Sequence, residues 1–152
     1  MLVIDTDFLS AFLKVKEIEL VLDFFKEEKV YIPVAVQKEI ADTDLLPELN
    51  KKDRIKVVEV NDIEVEGETD LLGAGELECM ALCDKDDLLL MNDKKAGEIA
   101  DNNNISVTNI PGFLLALKSE EFVDKERIKE IKRKLERRDY YSFSEKVEKE
   151  LT

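Results

Sequence analysis

Residues 88–101 read Leu-Leu-Leu-Met-Asn-Asp-Lys-Lys-Ala-Gly-Glu-Ile-Ala-Asp, and their interpretation decides the fold. The apolar run from Leu88 to Met91 is too short for a helix and suits a strand buried on both faces. It ends at Asn92-Asp93, and a helix over residues 94–101 follows. Asn102-Asn103-Asn104 breaks that helix, and Ile105-Ser106-Val107-Thr108 is β-branched enough to be the next strand. Strands separated by a helix in this way pair in parallel.

The same alternation extends outward in both directions. Leu2-Val3-Ile4 runs into Asp5-Thr6-Asp7, after which Phe8, Leu9, Phe12 and Leu13 recur at helical spacing. The helical pattern continues over residues 15–28, with Ile18, Val21, Leu22 and Phe25 on one face. Val30-Tyr31-Ile32 is a strand stopped by Pro33, and a helix over residues 34–41 carries Glu39. Residues 43–52 form a loop or short helix, residues 55–60 a third strand, and residues 61–70 an acidic aperiodic stretch. Gly73-Ala74-Gly75 then opens a helix over residues 76–83, and residues 112–117 form another. The expected class is α/β, a parallel sheet of about five strands flanked by helices over residues 1–118. Residues 119–152 form a helical C-terminal appendage packed on the same domain, with Phe122, Ile128, Ile131 and Leu135 as its apolar positions.

Composition excludes several chemistries. The chain has 152 residues and no histidine, so it builds neither a Ser-His-Asp triad nor a His-ligated zinc site. Cys79 and Cys83 share one helical face, and two thiols without histidine leave zinc unsupported; reduced thiols in a cytosolic protein are expected. Nothing approaches the roughly 20 apolar residues of a membrane span, and the opening apolar stretch has no basic leader, so a cytoplasmic, soluble protein is expected. The formal net charge is −13, and the excess lies within residues 1–118, because acids and bases balance beyond Lys118. Such a surface repels nucleic acid unless divalent cations intervene. Within the appendage, residues 125–138 are locally basic: they form either a solvated helix laced with ion pairs or a track for an RNA backbone.

Function in open parallel sheets gathers beyond the carboxyl ends of the strands. Asp5 and Asp93 each directly follow an apolar strand, where an acid serves as a helix cap or as part of a shared site. Glu76 lies on the same helical face as Cys79, Met80 and Cys83, where a lone buried carboxylate is costly and a metal ion removes the cost; alternatively Glu76 favours the helix start and Glu78 is the buried acid. Glu39 lies near the apolar edge of its helix. Oxygen ligands of this kind suit Mg²⁺ or Mn²⁺.

Four stretches together, LVIDTDFLSAF, VYIPVAVQKEI, GAGELECMALC and LLLMNDKKAGEIADNNNISVTN, resemble the PIN domain family, and most closely its small prokaryotic members near the VapC-type toxins. The resemblance covers residues 1–118 in order. It implies four acids meeting at one end of a parallel sheet to bind Mg²⁺ or Mn²⁺ for RNA cleavage, matched here by Asp5, Glu39, Glu76 and Asp93. Thr6 matches the small hydroxyl residue beside the first acid and is expected to hold it through a hydrogen bond. A homodimer and a partner antitoxin protein are further implications. The chain departs from the family at Asp7, where Ser or Asn is commoner and which is either an added ligand or a helix-start acid. It departs again at Asn92, where a second Asp is frequent, and at Asn109-Ile110, where Gly-Thr is usual.

Two other classes stand beside this one. Asp5-x-Asp7 after a strand resembles the opening of haloacid-dehalogenase-type phosphatases, with Asp5 as nucleophile and Asp7 as acid/base, yet Asp86-Asp87 precedes its strand and the expected Lys has no place. A non-catalytic PIN-like module that binds protein or RNA is the other. Gly73-Ala74-Gly75 lacks the further Gly or Lys-Ser/Thr of a nucleotide loop.

Overall fold

Short apolar segments separated by amphipathic ones leave little choice but a buried sheet wrapped by helices. The computed structural model describes residues 1–152 and shows this arrangement. The strands are β1 (Leu2–Ile4), β2 (Val30–Pro33), β3 (Ile55–Val58), β4 (Leu88–Leu90) and β5 (Ser106–Thr108). All pair in parallel, in the order β3-β2-β1-β4-β5. The helices are α1 (Thr6–Lys14), α2 (Ile18–Phe24), α3 (Val34–Ala41), α4 (Leu46–Asn50), α5 (Ala74–Leu82), α6 (Lys94–Asn102), α7 (Ile110–Ser119), α8 (Lys125–Arg138) and α9 (Glu145–Leu151).

β1 is central and fully buried, with Leu2, Val3 and Ile4 in register with Leu88, Leu89 and Leu90 of β4. From β1 the chain first builds outward to β3 on one side, then returns to build β4 and β5 on the other. This reversal opens a crevice at the carboxyl ends of β1 and β4, where Asp5 and Asp93 lie. Below it, Phe8, Phe12 and Phe113 form an aromatic core, with ring centroids 5.1 Å apart for Phe8–Phe12 and 5.5 Å for Phe12–Phe113. Ile128, Ile131, Leu135 and Leu151 of α8 and α9 belong to the same buried cluster.

Local boundaries depart from the sequence expectation in ways that have physical causes. The helical pattern over residues 15–28 is not continuous with α1. Lys16 adopts a left-handed φ of 59°, and the neighbouring Glu17 turns inward to pair with Arg127 of α8 at 2.6 Å. A partner 110 residues away thus sets this corner. Residues 43–52 do contain a short helix, α4, begun by Pro47 in its first turn. α7 starts at Ile110 because the Asn109 side chain accepts from the Gly112 N–H at 2.8 Å. α5 begins at Ala74, so Gly75 lies inside the helix and not in a flexible lead-in. β3 ends at Val58, and β5 begins at Ser106.

Candidate active site

Asp5 follows β1 and caps α1, accepting from the Phe8 N–H at 2.9 Å. Only 2% of its surface is exposed. Burial pushes its carboxyl up to about 7, with the charges of Asp7 and Glu76 adding to the rise and the N–H groups of Phe8 and Asn92 opposing it. Asp93 repeats the arrangement after β4, accepting from the Ala96 N–H at 2.8 Å as the cap of α6, but it faces solvent. Both acids are therefore helix caps and site candidates at once.

Glu39 and Glu76 arrive from the opposite wall. Glu39 of α3 accepts from the Gly75 N–H at 3.0 Å, at the start of α5. Glu78 of α5 returns the favour by accepting from the Ala35 N–H at 3.3 Å, at the start of α3. Each helix thus supplies the carboxylate that satisfies the other's first turn. Glu76 reaches back to the Gly73 N–H at 3.4 Å and so turns toward the crevice, whereas Glu78 turns toward α3. A Cβ on Gly75 would collide with the Glu39 carboxylate, so the present position of that carboxylate, against the Gly75 N–H, requires glycine there.

Asp5, Thr6, Asp7, Glu39, Gly73 and Glu76 line a cleft of about 50 Å³ that no Lys or Arg enters. Asp93 borders the adjoining, larger depression with Asn92, Thr108, Asn109 and Tyr141. Its charge still reaches the cleft. Burial raises the Asp7 and Glu76 carboxyls, and Asp93 is the strongest neighbouring charge that raises them further. Asp7 is thus part of the cleft and not merely a helix-start acid.

The role expected of Thr6 changes, and Asn92 takes one that the sequence did not assign. The Thr6 hydroxyl does not hold Asp5; its Oγ1 is buried in the cleft wall with no hydrogen-bond partner. Asn92 acts as a brace, its Oδ1 accepting from the Ile110 N–H at 3.0 Å and from the Tyr141 hydroxyl at 3.2 Å. No sequence signal pointed to Gly75 or Tyr141, because their partners Glu39 and Asn92 lie 36 and 49 residues away. The thiols play no part here: Cys79 is buried and donates to the Ile4 carbonyl at 3.6 Å, and burial raises both Cys79 and Cys83.

The donor set is chemically suited to a hard divalent cation: carboxylates in a cleft lined by no Lys or Arg, three of them raised, beside an unpartnered hydroxyl. As the side chains stand, no three of them converge closely enough to hold an ion. Glu39 and Asp93 are exposed and Glu76 is half-buried, around the buried Asp5.

A family model described as a PIN domain matches the chain over residues 1–152. No curated protein and no solved structure matches it. No helix is long and apolar enough to cross a membrane.

Proposed function

The chain belongs to the PIN domain family, a nuclease fold, and from that premise we propose that it is a divalent-metal-dependent endoribonuclease acting at the Asp5 cleft. The observation that carries this proposal is Asp5 itself, almost wholly buried at the end of the central strand among Asp7, Glu39 and Glu76, with no basic residue lining the cleft. An uncompensated buried carboxylate is costly in a purely structural role.

Asp5, Glu39, Glu76 and Asp93 would hold Mg²⁺ or Mn²⁺, with Asp7 beside them. A bound ion supplies charge neutralisation at a phosphodiester and a more acidic water. The backbone N–H groups of Phe8 and Ala96 keep Asp5 and Asp93 oriented at the crevice. Burial pushes the Asp5 carboxyl up to about 7, and a cation beside it would favour its charged form. The Thr6 hydroxyl is free to donate to an oxygen brought into the cleft. A role as the toxin of a toxin–antitoxin pair, acting as a homodimer, is compatible with this chemistry.

A non-catalytic RNA-binding module is the second reading, favoured by the acids not converging in threes. The phosphatase alternative finds no support, since Asp87 precedes β4 and is engaged by the N-terminal amine at 2.7 Å. A calorimetric Mn²⁺ titration of the wild type beside Asp5→Asn and Asp93→Asn separates the first two readings. Saturable binding lost in both variants, with loss of RNA cleavage, is the expected result. Weak binding unchanged by either, or cleavage that survives them, would sink the nuclease.

A further inference from the structure

α8 divides into two faces. Ile128, Ile131 and Leu135 are buried in the core, and on the opposite side Arg133, Lys134, Arg137 and Arg138 follow one another at helical spacing around a shallow depression that also includes Glu130. Four of the eight bases of this helix are spoken for: Arg127 pairs with Glu17, Lys129 with Glu126, Lys132 with Glu136 and Glu148, and Lys134 with Glu130, while the unpaired Lys125 stands apart at the helix start. Arg133, Arg137 and Arg138 make no ion pair. In a chain with a net charge of −13, three adjacent arginines left free of carboxylates stand out against the rest of the surface.

The helix ends beside the cleft. Its cap Asp139 is held by Lys14 of α1 at 2.9 Å, and Tyr141 donates to Asn92, the residue before Asp93, at 3.2 Å. Between these two anchors stands Tyr140, 87% exposed. Tyr140 adopts a left-handed φ of 54°, at the position after a helix cap where glycine is the least strained residue. The neighbouring half-buried Tyr141 and buried Phe143 pack together with ring centroids 4.7 Å apart, so the aromatic segment splits into a packed pair and one ring presented to solvent.

We propose that Arg133, Arg137, Arg138 and Tyr140 form a binding platform for single-stranded RNA, which leads the strand to the acidic cleft. Guanidinium groups contact phosphates, and the Tyr140 ring stacks on a base, a pairing that suits unpaired strands of any sequence. The platform resolves an electrostatic difficulty: the cleft alone repels a polyanion, and the arginines supply attraction next to it. It rests on the proposed function for its substrate, so its test is made without catalysis.

The experiment is fluorescence anisotropy of a labelled single-stranded RNA with the whole chain in EDTA at low ionic strength, for wild type, Arg137→Gln/Arg138→Gln and Tyr140→Gly, each checked by thermal melting. Wild type is expected to bind. The arginine variant should bind at least about 10-fold more weakly, with a salt dependence reduced by roughly 1.4 in log–log slope for two lost phosphate contacts. Tyr140→Gly should weaken binding by about 10-fold with the slope unchanged, while melting no lower than wild type. Absence of wild-type binding, or equal binding by all three, overturns the platform. So does a wild-type dimer that dissociates in the arginine variant, because the patch would then face a second acidic copy. RNA bound in EDTA but never cleaved with Mn²⁺ leaves the platform standing and removes the nuclease; cleavage unaffected by these variants does the reverse.

Discussion

Gly75→Ala should separate the stability of this protein from its activity. Gly75 has a backbone conformation that alanine accepts, and the nearest atoms its new methyl would meet belong to the Glu39 carboxylate, the far end of a flexible, solvent-facing side chain. Glu39 therefore swings aside and loses its bond to the Gly75 N–H, at a cost of about 1 kcal/mol for a partly solvated charge-assisted contact. Alanine in place of glycine near the start of α5 returns about 0.5–1 kcal/mol. The two nearly cancel, so the melting temperature should stay within about 4 °C of wild type. The site does not share this balance. Loss of an orienting partner of a metal-binding acid lowers metal affinity or turnover by about 10- to 100-fold. Differential scanning fluorimetry beside a Mn²⁺ titration and an RNA-cleavage assay reads both quantities. Full activity in a well-folded variant would refute the idea that the position of Glu39 matters, and a melting temperature lowered by much more would mean that the carboxylate cannot move away.

Asp5→Asn should abolish Mn²⁺ binding and yet stabilise the fold at pH 8, because asparagine caps α1 as well as aspartate does and carries no buried charge. The sign follows from the raised carboxyl: the stability it contributes in wild type is fully present below about 4, its ordinary value, and is lost as pH rises through about 7. Melting curves across this window should show a decline in wild type that the variant lacks; parallel curves would mean that Asp5 is solvated. Arg127→Ala strands Glu17, which is 6% exposed and already has Oε2 unpartnered, and should cost about 3 kcal/mol, with partial recovery when Glu17→Gln is added. A loss under about 1 kcal/mol in urea melts would show that water reaches Glu17 once the arginine is gone.

All five strands were legible because each is a short apolar or β-branched segment bounded by a turn or cap residue within its own neighbourhood, as in Leu2-Val3-Ile4 before Asp5 and Ser106-Val107-Thr108 before Asn109. The start of α6 was legible in its cap Asp93, whereas α5 at Ala74, behind a glycine, and α7 at Ile110, behind Asn109 and with Pro111 in its first turn, were placed two residues late. The break between α1 and α2 was hidden because Arg127, which draws Glu17 inward, lies on the appendage. The candidate acids were visible as residues following strands, but not their division into a buried Asp5, a Glu39 clasped to α5 and a solvent-facing Asp93. Thr6 was misjudged for the same reason: sequence places its hydroxyl beside Asp5 and says nothing of the direction in which it points.

The pairing of β1 with β4 has a consequence for the order in which this protein comes into being. During synthesis the ribosome releases Leu2–Ile4 long before Leu88–Leu90, so the nascent chain holds its central strand with one edge open until more than half of the polypeptide has emerged. Asp5 waits equally long for its neighbour Asp93, and Asn92 waits further for Tyr141, 49 residues downstream. The acidic crevice is therefore completed only after Tyr141 has emerged, and a nascent chain shorter than that would lack the brace on Asn92.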